Sequence, residues 1–171
     1  MLNDKSLRWS RRLSVVPRWV IVPTVQKENV AMHCYQTTQT ARWLLNFHSD
    51  ADQIRLQVIE YALDHDEEEA ATGDKPSTSK PGKHWNSGVS QHVIVVKIAD
   101  VLDTIGFLHT ERLMGNAMLD DVLNERKQAL REVWGFFSQC KSPSGADVIG
   151  GPHNLIERYL KAITQSHPGM E

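Results

Sequence analysis

The sequence predicts an all-α fold, a single domain built as a bundle of about six helices. Three observations support the helical bundle. The chain has 171 residues, one domain's worth and enough to bury a sizeable core. Apolar residues recur at helical spacing through the long segments 28–48, 52–64, 90–113, 117–139 and 153–165. Breaks rich in Gly, Pro, Ser and Asp separate them, at Ser49-Asp50, Gly73 to Pro76, Gly115-Asn116 and Gly150-Gly151-Pro152. A hydrophobic content of 40% and a formal charge of −2 describe an ordinary soluble protein. No apolar run approaches the roughly 18 residues of a membrane span. The N-terminal arginines precede no signal-like apolar core. Cys34 and Cys140 form no CxxC pair, so free thiols in a reducing, cytoplasmic setting are expected.

Residues 1–16 carry Lys5, Arg8, Arg11 and Arg12 against Asp4. They read as a basic arm or a short helix lying on the domain through Leu7, Val15 and Val16. Four cations on an otherwise non-basic chain do not make a nucleic-acid surface. Pro17-Arg18-Trp19-Val20-Ile21-Val22-Pro23 is bounded by prolines, which predicts an extended loop. Its Arg beside a Trp suits a nucleotide: the guanidinium fork matches phosphate oxygens, and the indole offers a flat wall. A core Trp beside a surface Arg would give the same dipeptide.

Residues 28–48 predict a helix whose inward face holds Val30, His33, Tyr35, Thr37, Ala41, Leu44, Leu45 and Phe47, with Glu28 and Asn29 at its start. Residues 52–64 predict a second, with Ile54, Val58, Ile59, Ala62 and Leu63 inward. It runs into His65-Asp66-Glu67-Glu68-Glu69 and a Thr72-Gly73-Asp74 turn. Neighbours on a regular helix point about 100° apart, so His65 and Asp66 share one ion only where the backbone bends or at the helix end. Further ligands must then come from other helices, and His33 and Asp100 are the candidates. A solvated acidic helix end is the plainer reading of the dipeptide alone. Residues 75–90 hold two Pro, two Gly, four Ser and three Lys, which predicts a mobile loop near that site. Lys80 and Lys83 are placed to meet phosphate there. Residues 90–113 predict a central helix, apolar on most faces. Asp100 falls within that setting, and a buried carboxylate must be paired or bind a metal. Asp103 is the alternative if the register differs. Residues 117–139 and 153–165 complete the bundle with Leu119, Val122, Leu123, Leu130, Val133, Trp134 and Phe137 inward; His109, His153 and His167 read as structural or surface.

Taken in order, Arg18-Trp19, Glu28-Asn29-Val30-Ala31-Met32-His33, His65-Asp66 followed by Glu69, Thr72-Gly73-Asp74 and Pro76, then Val96-Lys97-Ile98-Ala99-Asp100, form a pattern. It resembles the HD-domain phosphohydrolases, and most closely the YfbR-like 5′-deoxynucleotidases and their phage relatives. The resemblance implies one HD domain over residues 1–171 and an ion held by His33, His65, Asp66 and Asp100. Two imidazoles and two carboxylates suit Zn, Co, Mn or Fe, with an additional Mg as a further option. It makes Arg18 the phosphate contact, Trp19 the wall against a ribose 2′-hydroxyl, and Ile21 and Lys80 further substrate contacts. Glu69 is the candidate for proton handling as acid or base, and Asp74 for holding either the nucleophilic water or the sugar 3′-hydroxyl. The implied activity is metal-dependent phosphate hydrolysis of 2′-deoxyribonucleotides, with deoxyadenosine nucleotides preferred, as in phage dATP triphosphohydrolases. Hydrolysis of monophosphates alone is the nearer alternative, and a non-catalytic nucleotide sensor or adaptor the more distant one. A homo-oligomer, dimer or hexamer, is implied, with no membrane partner and a host-cytoplasm location if the chain is phage-encoded.

Overall fold

The computed structural model describes residues 4–48, 51–74, 89–139 and 151–165. Among them run α1 (Asp4–Leu13), α2 (Val30–Leu44), α3 (Ala51–Asp64), the single turn α4 (Glu69–Thr72), α5 (Gln91–Leu113), α6 (Asp120–Gln139) and α7 (Pro152–Thr164). Short 3-10 turns at Leu45–Phe47 and Ala117–Leu119 extend α2 and lead into α6. The all-α expectation holds among the described residues.

Local chemistry sets the ends. α2 begins at Val30, two residues later than the apolar pattern suggests, because Asn29 is its cap. Asn29 has extended backbone, and its side chain accepts the Met32 N–H. Glu28 is thereby left outside the helix. α5 stops where Gly115 takes φ 91, a left-handed conformation that costs glycine little. The N–H of Asn116 then returns to the carbonyl of Glu111.

α5 is the axis of the domain, as its composition predicts. Ile94, Val96, Ile98, Val101, Leu102, Ile105 and Leu108 are all buried on it. α2 and α3 pack on it and on each other, α6 packs along it, and α7 closes against α5 and α6. Leu130 and Leu155 carry α6 and α7 into the same core. Each such leucine contributes about 1.5–3 kcal/mol of burial. α1 lies on α4 and α2, with Leu13 joining Val30, Cys34 and Ala70 in a second small cluster.

Four apolar side chains assigned inward are instead exposed: Leu7, Val15, Tyr35 and Leu63. Trp9, Leu13 and Val16 supply the docking face of α1 in place of Leu7 and Val15. Tyr35 and Leu63 fall just off the buried stripes made by Val30, His33, Thr37 and Ala41 and by Val58 and Ala62. The segment from Pro17 to Pro23 is not uniformly extended either. Pro17 bridges to Asn29, and Trp19 takes φ 64 before the chain turns. The side chain of Phe137, together with Lys80, Lys83, Cys140 and His167, lies outside the described residues.

Candidate active site

The difficulty posed by adjacent ligands is resolved at the end of α3. That helix stops at Asp64, and residues 65–68 form a turn. The His65 ring folds back so that Nδ1–H donates to the Ala62 carbonyl at 2.7 Å. A carbonyl only accepts, so Nδ1 carries the proton and Nε2 of the neutral ring presents its lone pair. His33 is fixed in the same sense by a different partner. Its Nδ1–H donates to Asp103 Oδ2 at 2.7 Å, leaving Nε2 facing the opposite way.

Both Nε2 atoms are buried without a well-directed hydrogen bond. His33 Nε2 faces Asp66 and Asp100, and His65 Nε2 faces Asp66. Asp66 Oδ2 lies 3.7 Å from His33 Nε2 and 3.3 Å from His65 Nε2; Asp100 Oδ1 lies 3.2 Å from His33 Nε2. Ligand atoms each about 2.0–2.2 Å from one ion sit roughly 3.3–3.6 Å apart on a tetrahedron. His33, His65 and Asp66 therefore fit a divalent ion in spacing, and Asp100 adds a carboxylate beside His33. His33, His65 and Asp66 each offer one atom within 4.8 Å of the others. Asp100 enters from α5, where Lys97 also pairs with it.

The electrostatics agree. Burial would raise the Asp100 carboxyl, but Lys97 and the imidazoles of His33 and His65 hold it well below the usual carboxylate range. His65 is lowered, chiefly by burial, which keeps it neutral. For His33, burial and Arg18 act downward, yet Asp100 and Asp103 prevail and raise it to about 9. Carboxylates that favour a proton at that ring favour any cation there, and a divalent ion displaces the proton.

The residues that the resemblance assigns to the nucleotide sit alongside. Arg18 Nη1 donates to Glu28 Oε2 at 2.8 Å, and the indole Nε1–H of Trp19 donates to the same oxygen at 2.9 Å. The Trp19 backbone N–H donates to Asp74 Oδ2 at 3.1 Å, and its ring stacks on Phe107 with centroids 5.0 Å apart. Gly73, at φ 76, turns the chain that presents Asp74. Glu69 is buried at the start of α4, whereas Glu68 is exposed. Ile21 is 71% exposed and makes no part of this cluster. Glu28 and Phe107 hold Trp19, and Glu111 accepts the Val25 and Gln26 N–H groups of the same loop; the sequence pattern assigns none of the three to the site. Glu28 lies within the recognised pattern, where its type and position read as a first-turn acid. Asp103 was held only as an alternative ligand, three residues and so about one turn from Asp100. Phe107 and Glu111 gave no local signal.

Residues 6–97 match the family described as 5′-deoxynucleotidase YfbR-like. The chain belongs to that family. Its membership places the chain among hydrolytic enzymes. The match ends just before Asp100, which the structure brings to His33. A 5′-deoxynucleotidase of Shewanella oneidensis is 25% identical over 161 residues, covering 92% of this chain and 72% of that protein. The 5′-deoxynucleotidase Ent638_2835 of Enterobacter sp. strain 638 and the 5′-deoxynucleotidase YfbR of Escherichia coli are each 32% identical over 94 residues. Those alignments cover 52% of this chain and 45% of either relative, so this chain matches less than half the length of each. The fold is similar to that of a cyanophage S-2L HD phosphohydrolase, DatZ, solved with dA and one catalytic Zn2+ ion. The TM-score is 0.69 at 19% identity, over 97% of this chain and 99% of that one.

Proposed function

We propose that this protein is a metal-dependent phosphohydrolase of 2′-deoxyribonucleotides, with deoxyadenosine nucleotides its best substrates. The observation that carries the reading is the pair of buried imidazole nitrogens, both turned on Asp66, with Asp100 beside His33 and each ring's other nitrogen fixed by a hydrogen bond. In this reading His33, His65, Asp66 and Asp100 hold the ion. When bound, the ion supplies a nucleophile at neutral pH and stabilises charge at the phosphoryl group. The family supports the deoxynucleotide, and the structural neighbour's dA and Zn2+ support adenine and zinc.

The chain's own residues then divide the work. Arg18 keeps guanidinium N–H groups beyond the one given to Glu28 and neutralises charge on the phosphate. Trp19 stands as the wall beside the sugar. Asp74 uses one oxygen on the Trp19 backbone, and the second takes the sugar 3′-hydroxyl, which ties sugar binding to the position of that wall. Buried Glu69 handles the proton, delivered through water to the leaving oxygen.

Phosphate and triphosphate release from dAMP, dATP, AMP and ATP, measured with protein stripped by a chelator and reloaded with Zn, Co, Mn or Fe, tests the proposal. Stripping is expected to abolish release, and reloading to restore it on the deoxynucleotides. No release from either deoxynucleotide with any metal would overturn the hydrolase assignment, and faster turnover of ATP than dATP would overturn the role of Trp19. Trp19→Ala is expected to narrow the preference for deoxyadenosine over adenosine nucleotides by about tenfold, one buried contact's worth of discrimination. An unchanged ratio of kcat/KM values would remove Trp19 from sugar selection.

A further inference from the structure

Trp19 is an unlikely residue to find where it stands. A bulky side chain at φ 64 is a backbone outlier costing of order 1–3 kcal/mol, and it persists only when its surroundings over-determine it. Three contacts do so here: Asp74 on the N–H, Phe107 on the ring face and Glu28 on the indole N–H. Glu28 alone among them also holds Arg18, through the same oxygen that receives the indole. Glu28 is buried, and an atom of it lies within 4.8 Å of ligand-type atoms of His33 and Asp103.

We propose that Glu28 is a specificity-determining positioning residue. It locks the phosphate-reading guanidinium and the sugar-facing indole into one unit and sets that unit against the His33–Asp103 pair. The inference rests on the proposed hydrolase reading. One carboxylate oxygen accepting two donors fixes both in a single geometry. The Arg18 guanidinium also lies over the Trp19 ring, 5.3 Å from its centroid, so neither side chain moves without the other. Phosphate binding and deoxyribose selection therefore fail together when Glu28 is lost.

The test compares wild type, Glu28→Ala and Glu28→Gln. kcat and KM are measured on dAMP, dATP, AMP and ATP, and the binding of dAMP and AMP to chelator-stripped protein is measured by calorimetry. Glu28→Ala is expected to raise KM on the deoxynucleotides by about tenfold, the loss of one charge-assisted contact, while kcat falls less. The same variant is expected to lose discrimination between deoxy and ribo forms in both turnover and binding. Glu28→Gln keeps a carbonyl acceptor and is expected to recover sugar discrimination more fully than KM. A wild type inactive on all four nucleotides defeats the hydrolase reading. An active wild type whose Glu28→Ala variant keeps its deoxy-to-ribo ratio, whatever its thermal midpoint, defeats the role of Glu28 alone. A proportional loss on all four nucleotides is what a merely structural glutamate would give, and it likewise overturns the proposal.

Discussion

Asp66→Ala is expected to cost the protein its ion and about three orders of magnitude or more in rate, since charge stabilisation by a metal is worth several kcal/mol. Among the described residues, Asp66 Oδ2 is the carboxylate oxygen that lies within 4 Å of both imidazole nitrogens. Elemental analysis of the purified variant, beside phosphate release from dAMP and dATP, checks both parts. Asp66→Asn separates charge from size. It keeps an oxygen near the same place but is expected to bind the ion more weakly. Folding of the ion-free chain should survive either change, because removing Asp66 relieves the crowding of acids that it forms with Asp100 around His33. A variant with full metal content and full rate would remove the site as described.

Glu111→Ala is expected to produce the largest loss of stability among single polar substitutions. Glu111 is fully buried near the end of α5. Its carboxylate accepts the backbone N–H groups of Val25 and Gln26, each at 2.7 Å, and the Asn116 amide at 2.8 Å. These bonds hold the loop that carries Arg18 and Trp19. Bonds to a charged acceptor are worth about 1.5–3 kcal/mol each, but water can reach the exposed donors, so a total near 2–4 kcal/mol is expected. A denaturant midpoint shift checks it. Burial would raise this carboxyl, but Asn116, Gln26 and Val25 hold it below its ordinary value. A depressed folded-state value means the contribution is present above the unfolded carboxyl range and is lost as pH falls through the folded value. The gap between wild type and Glu111→Gln should therefore be wide at pH 7 and close under acid. A gap independent of pH would show that the charge of Glu111 does not stabilise the fold.

The helices and the ligand cluster were legible because each rests on short-range pattern. Apolar spacing placed α2, α3, α5, α6 and α7, and three brief motifs marked His33, His65, Asp66 and Asp100. What escaped depends on contacts distant along the chain. Glu111 meets Val25 across 86 residues, and His33 meets Asp103 across 70. Neither pairing leaves a local trace. The conformation of Trp19 was equally unreadable, since left-handed backbone is normally signalled by glycine or asparagine. Tyr35 and Leu63 misled in the other direction: apolar type was taken as burial, though much of any protein surface is apolar.

The way α3 ends has an engineering corollary. Because the His65 ring is tethered to the last carbonyls of that helix, the site inherits the helix's rotational phase. One residue added between Val58 and Ala62 would swing the dipeptide by about 100° and carry both side chains off their common target. Grafting and length changes thus belong beyond Asp74, where they leave the phase of the ligand pair untouched.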